Sequence, residues 1–272
     1  MSPIDQPAIP KGSTVLVTGA NGFIGSNIAD QLLKLGYKVR GTTRSPAKNA
    51  WVTKLFDSKY GLGNFEFVTV TDMAVDGAFN EAVKGVSAII HTATNYTMNP
   101  NPHEVAPGTV KGTIEALEAA AREPSVRRFV LTSSSASALI PKPNDPVRVT
   151  TDTWNDSNID FAFRDPPYEP ERAYPVYAAS KTLSEKAAWK FMREQKPSFT
   201  FNAVLPNINF GASLDFANQG HASTSGMVVA LFNGNSEYLA ALPARTYYPC
   251  LKFTVFLSAN RPRRRVFRRR AR

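Results

Sequence analysis

Cysteine is almost absent from this 272-residue chain. Cys250 stands alone, so no internal disulfide can form, and a reducing, cytoplasmic setting is the expectation. Long apolar runs are absent too. No stretch reaches membrane-spanning length, which excludes a hydrophobic helical span. The opening MSPIDQPAIPKGS lacks the charged-then-apolar pattern of a secretory signal. Acid is missing in two places. None lies between Asp30 and Asp57, and after Asp215 only Glu237 remains. The second shortage coincides with RPRRRVFRRRAR, residues 261–272, which holds eight Arg. The net charge of +10 is therefore a property of a tail: without those eight, 24 basic residues face 22 acidic ones. A nucleic-acid surface over the body of the protein is not expected.

What is present is a regular alternation. Short β-branched or aromatic runs occur at TVLVTG (14–19), KVRGTTR (38–44), FEFVTV (65–70), SAIIHTA (87–93), RRFVLTS (127–133) and FTFNAVLP (199–206). Their mostly apolar centres suit strands buried on both faces of a parallel sheet. Helical patterns lie between them. In FIGSNIADQLLKLG (23–36), Ile24, Ile28, Leu32 and Leu35 recur at helical spacing before a terminating Gly36. GAFNEAVKG (77–85), PGTVKGTIEALEAAARE (107–123) and YAASKTLSEKAAWKFMRE (177–194) read as further helices. The alternation predicts an α/β fold, a Rossmann-type doubly wound parallel sheet. From Pro141 to Pro175 proline is too dense for regular structure, and Trp154, Phe161, Phe163 and Tyr168 favour a packed loop over a ligand pocket.

TGANGFIG, residues 18–25, follows the first strand and opens the first helix. That context makes it a candidate dinucleotide turn rather than a plain glycine loop. Gly19 can make the tight turn, Gly22 can let the backbone approach a pyrophosphate, and Gly25 can let the helix pack closely. Asn21, Phe23 and Ile24 complete the turn at a helix N-terminus, whose free N–H groups and dipole favour phosphate. The spacing is G-x-x-G-x-x-G, not G-x-G-x-x-G. NAD binders usually carry an acid about 20 residues on, for the ribose 2′-hydroxyl. Here that region reads KVRGTTRSPAK, so Arg44, with Arg40 or Lys48, can pair with a 2′-phosphate instead, which favours NADPH/NADP+. Asp72 is placed for the adenine edge. Thr92 and Ala93, after His91, end the fourth strand where backbone should pass under the cofactor.

Tyr177 and Lys181 are four apart on one helix and share a face. Alone they read as a surface pair. An ammonium beside a phenol, whose reference pKa is about 10, favours the phenolate and brings proton exchange nearer neutrality. Ser133, Ser134 and Ser135 end the fifth strand, on the sheet edge where ligands bind, and can orient a carbonyl.

TGANGFIG, the TSS after strand five, and YAASK resemble the extended short-chain dehydrogenases/reductases, in their dihydroflavonol-reductase-like branch. RRFVLTSSSASALIPKPN and YAASKTLSEKAAWKFMREQKPSFTFNAVLPN are similar to the yeast NADPH-dependent aldehyde/carbonyl reductases in that branch. The resemblance covers residues 10 to 235 approximately. It implies NADPH-dependent reduction of a small-molecule aldehyde or ketone, with Tyr177 as proton donor and Lys181 as its partner. The carbonyl-orienting serine falls on Ser134, with Ser133 second. Pro206, Asn207 and Ile208 would border the nicotinamide. No metal is implied. Thr109 stands where many members have Asn, so a proton relay through that Asn is not expected. Other activities of the same superfamily, 3β-hydroxysteroid dehydrogenase-like or epimerase, share these motifs. A non-catalytic NADP-binding protein with a nucleic-acid-binding tail is the rival from another class.

Beyond Gly234 the resemblance ends, although Tyr247-Tyr248 sits where a Tyr-rich stretch belongs. The expected division is a Rossmann domain over 10–206, a small, incomplete substrate lobe over 207–260, and a disordered Arg-rich tail over 261–272. The expectation is of a truncated or frame-shifted C-terminus. It would leave the apolar run Met227 to Leu231 exposed and prone to aggregation.

Overall fold

The computed structural model describes residues 7–141, 146–235, 247–249 and 263–266. Six strands fall where the sequence reading put them: β1 Thr14–Thr18, β2 Lys38–Thr43, β3 Phe65–Thr69, β4 Ala88–His91, β5 Arg128–Thr132 and β6 Thr200–Leu205. A short β7, Ile208–Phe210, pairs with β8, Tyr247–Pro249, in a separate two-stranded sheet. With β9, Arg263–Val266, the main sheet has the order β3-β2-β1-β4-β5-β6-β9, all parallel. The chain steps outward from β1 to β3, then returns to lay β4 beside β1. That reversal opens a cleft at the C-terminal strand ends.

Alternating side chains build one core on each face of this sheet. Val15 and Val17 join Ile28, Leu32, Phe56 and Phe65 on one side. Leu16, between them in sequence, joins Ile89, Leu117, Phe129 and Phe201 on the other. Both faces are dry, which is why the strands read as continuous apolar runs.

Four longer helices flank the sheet. α1, Phe23–Lys34, starts at the glycine turn. α2, Ala50–Tyr60, was not anticipated; its apolar face is narrow, with only Val52 and Phe56 buried. α3, Pro102–Arg122, begins earlier than the pattern suggested, because Asn101 caps it by accepting from the His103 N–H and Pro102 suits a first turn. Pro107, taken as a boundary, lies inside it. The Pro-rich region holds α4, Asp156–Ala162, whose Ala162 packs with Val105 and Val176, so it is not wholly irregular. α5, Ala173–Gln195, is the longest helix described. Residues 77–85 form turns rather than the expected helix: positive-φ Gly77 and Gly85 bracket a segment too short to sustain one.

The C-terminal region contributes β7, α6 (Phe216–Gln219), α7 (Ser225–Phe232) and β8. α7 has no buried residue; of the run Met227 to Leu231 only Val228 is exposed, at 46%, and Phe232 just beyond it is 90% exposed. Four residues of the Arg-rich segment, Arg263–Val266, are extended. They form β9, because an extended segment satisfies the backbone groups on the otherwise open edge of β6. The rest of residues 261–272, and residues 236–246 and 250–260, lie outside the described residues. No helix among the described residues is long and apolar enough to cross a membrane.

Candidate active site at the sheet switch point

A cavity of about 730 Å³ opens beyond the C-terminal ends of the paired strands β1 and β4. Gly19, Asn21 and Gly22 form one wall, Arg44 and Asp72 another, and Thr92 and Ala93 the floor. The chain thus brings seven sequence-predicted residues to one space. Gly19 holds φ +66°, a left-handed conformation that needs glycine. A Cβ on Gly25 would meet the Gly19 carbonyl, so the helix start lies directly on the turn. The turn is tied to β2 by the Gly19 N–H donating to Thr42 Oγ1 (3.1 Å) and the Ala20 N–H donating to the Thr42 carbonyl (3.2 Å).

Three predicted residues of this end do not line the cavity. Phe23 is buried under the turn, Ile24 packs against the core, and Gly25 acts through backbone approach. Of the three basic candidates, only Arg44 lines the cavity, and it makes no ion pair or side-chain hydrogen bond among the described residues. Arg40 is committed elsewhere: it bonds Glu66 at 2.6 Å and the carbonyls of Ala82 and Lys84. Lys48 is exposed and off the cavity, because the chain turns away after Ser45 toward α2. Asp72 accepts the Ala74 N–H at 2.8 Å, which holds the loop after β3 in place.

The floor depends on a threonine that sequence reading missed. Thr18 Oγ1 accepts the N–H groups of Thr92 and Ala93, both at 2.9 Å, and lies 3.1 Å from His91 Nδ1. With two donors already on it, the hydroxyl gives its single proton to Nδ1, so His91 is neutral with its ring proton on Nε2. Burial, and then the Lys181 charge, push His91 down to about 3.

Tyr177 and Lys181 lie in the second turn and beyond of α5. The Tyr177 ring meets Tyr96 edge-on, 5.4 Å between centroids, and Tyr96 lines the cavity. Lys181 is buried and donates from Nζ to the Thr132 carbonyl at 3.0 Å, at the end of β5. Burial lowers its pKa to about 8, against the opposing pull of Glu185. Ser133 and Ser134 follow Thr132 directly. Ser133 Oγ donates to Glu185 at 2.6 Å, and Ser134 Oγ accepts the Ala136 N–H at 3.2 Å. The Pro206 carbonyl accepts the Ser135 N–H at 2.8 Å, which ties the segment before β7 to the serine turn; Ile208 is buried beyond it. Thr109 spends its hydroxyl on the Val105 carbonyl of its own helix (3.0 Å). Gln219 of α6 reaches back to Ser26 Oγ at 3.1 Å, so the C-terminal region touches the glycine turn.

A dinucleotide fits this donor set. The glycine turn is a cradle that side chains would fill, and Arg44 is a cation at the second strand end with no ion pair among the described residues. Thr94 Oγ1 on the wall, and Thr132 Oγ1 at the end of β5, are buried without a hydrogen-bond partner among the described residues. Among the described residues no group of three or more His, Cys, Asp or Glu is placed to hold a metal ion.

Residues 15–239 match the model of the NAD dependent epimerase/dehydratase family. Aldehyde reductase 2 of Sporidiobolus salmonicolor is 49% identical over 249 residues, which are 91% of this chain and 72% of that protein. The NAD-dependent epimerase/dehydratase terH of Aspergillus terreus is 45% identical over 78% of this chain, which spans only 62% of its length. Among solved structures, yeast methylglyoxal/isovaleraldehyde reductase Gre2 complexed with NADPH superposes with a TM-score of 0.73 at 26% identity, over 92% of this chain and 77% of that one.

Proposed function

The chain belongs to the NAD dependent epimerase/dehydratase family, and from that premise we propose that it reduces aldehydes or ketones to alcohols with NADPH. The observation that carries the reading is the joining of two halves at one cavity. A glycine turn with Arg44, unpaired among the described residues, stands at one end, and a Tyr177–Lys181 helix meets that cavity through Tyr96 at the other.

Bound there, NADPH supplies the hydride. Gly19, Gly22 and the N-terminus of α1 hold its pyrophosphate, and Arg44 pairs with its 2′-phosphate. Asp72 meets the adenine edge, and Thr92 and Ala93 support the bound cofactor from below. Pro206 and Ile208 would be the residues nearest the nicotinamide end. Ser134 donates to the substrate carbonyl oxygen. Tyr177 delivers a proton to that oxygen as negative charge develops on it. Lys181, anchored on the Thr132 carbonyl, stabilises the phenolate left behind. The substrate is a small carbonyl compound, and the lone cysteine supports a cytoplasmic setting.

The test is NADPH oxidation with an activated aromatic aldehyde or a β-ketoester, beside Tyr177→Phe. Turnover that falls by about 10²–10⁴ in the variant, with NADPH affinity retained, supports the assignment. Turnover unchanged in Tyr177→Phe removes Tyr177 from the chemistry. Absence of NADPH binding in the unaltered protein removes the whole reading.

A further inference from the structure

Glu185 lies one turn beyond Lys181 on α5 and is fully buried. Its Oε2 is 2.6 Å from both Ser133 Oγ and Ser137 Oγ, and its Oε1 receives Trp189 Nε1 at 3.4 Å. The serines have other acceptors in reach: Ser137 Oγ for Ser133 at 3.2 Å, and the Ser134 carbonyl for Ser137 at 2.8 Å. Each hydroxyl has one proton, and a carboxylate at 2.6 Å is the strongest acceptor available to it. Both protons therefore go to Glu185. A Ser133 proton so committed cannot serve a substrate carbonyl. Ser134 keeps its own: its Oγ accepts from Ala136 and donates to no group among the described residues.

We propose that Glu185 is a positioning residue for carbonyl reduction, whose buried carboxylate ties down Ser133 and Ser137 and so presents Ser134, between them in sequence, as the donor to the carbonyl oxygen. This rests on the reductase reading above. The same carboxylate has a second consequence. Lys181 is faced by Glu185 on its own helix, by His91 from β4 and by the Thr132 carbonyl from β5. Glu185 is the acid of that set, and its charge holds the lysine proton against burial.

Glu185→Gln keeps the shape and removes the charge. With the aldehyde assay, the expected result is a fall in kcat approaching 10²-fold, a magnitude typical of roughly 1 Å of misplacement, with little change in the Kd for NADPH. The alkaline limb of the pH–rate profile, which belongs to the Tyr177–Lys181 pair, moves to lower pH. Should Glu185→Gln not fold, Ser133→Ala and Ser137→Ala keep the charge. They are expected to lose on the order of tenfold in kcat with the alkaline limb in place. Glu185→Gln with unaltered kcat and limb overturns the proposal, as do both serine variants at full kcat. An unaltered protein that neither binds nor oxidises NADPH overturns the reductase reading itself, so the two failures are told apart.

Discussion

A Cβ placed on Gly25 would lie 2.3 Å from the carbonyl oxygen of Gly19 and 2.9 Å from its carbonyl carbon. Both partners are backbone, so neither can swing aside. Helix α1 therefore starts on the turn itself, and its N-terminal N–H groups are held beside Gly22. Gly25→Ala is expected to cost about 3 kcal/mol, the upper end of ordinary overpacking, and to weaken NADPH binding by shifting the turn. Denaturant unfolding and a cofactor titration measure the two effects. Stability within about 0.5 kcal/mol of the parent would contradict the close approach.

Arg44 is the one basic candidate that lines the cavity without another partner among the described residues. Arg44→Ala should weaken NADPH by about ten- to a hundredfold, the equivalent of about 1.5–3 kcal/mol for hydrogen bonds to a charged group, and leave NADH affinity nearly unchanged. Equal losses for the two cofactors would mean that Arg44 does not read the 2′-phosphate. Lys48→Ala, off the cavity, should leave the ratio alone.

His91 makes acid stability testable. Its folded pKa, pushed down to about 3 chiefly by burial, lies below the 6.5 of an unfolded chain. Between those values the unfolded state binds a proton that the folded state refuses, so the unfolded state gains as pH falls. The contribution is intact above about pH 6.5 and is lost progressively toward pH 3, at up to about 1.4 kcal/mol per pH unit. His91→Gln should flatten this part of the stability–pH curve, read by denaturant midpoints. An unaltered slope would show that His91 is accessible to protons when folded.

The face of α7 predicts self-association. Val228 is 46% and Phe232 90% exposed on a helix with no buried residue. Val228→Lys with Phe232→Lys should raise solubility and lower the mass seen by light scattering at high concentration, without altering NADPH affinity. A scattering mass that does not fall would show that this face is not the sticky one.

Much of the fold was legible because a parallel sheet covered on both faces writes each strand as an apolar run. The six runs read from the chain are strands β1 to β6, each within a residue or two at its ends. The glycine spacing was equally legible, since close backbone approach leaves no other residue type possible. Less legible were elements whose stability comes from partners distant in sequence. α2 buries only two side chains, β9 exists through pairing with β6, and α4 is stabilised by residues of α3 and α5.

Within the site, the residue types, their order along the chain and the family resemblance together singled out Tyr177, Lys181, the serine run and the glycine turn. They could not rank Arg40, Arg44 and Lys48, because all three are cations near one strand end. Only the packed structure sends Arg40 to Glu66 and leaves Arg44 on the cavity. Ser133 and Ser134 are likewise identical in composition and adjacent in the chain. What separates them is a carboxylate 52 residues away from Ser133, brought to 2.6 Å by the packing of α5 against the end of β5. Periodicity and spacing are local properties, so the sequence by itself determined the layers, the turn and the helix that carries Tyr177 and Lys181. Which hydroxyl lies against Glu185 and which cation lines the cavity depend on distances between remote segments, and those were decided only when the chain closed on itself.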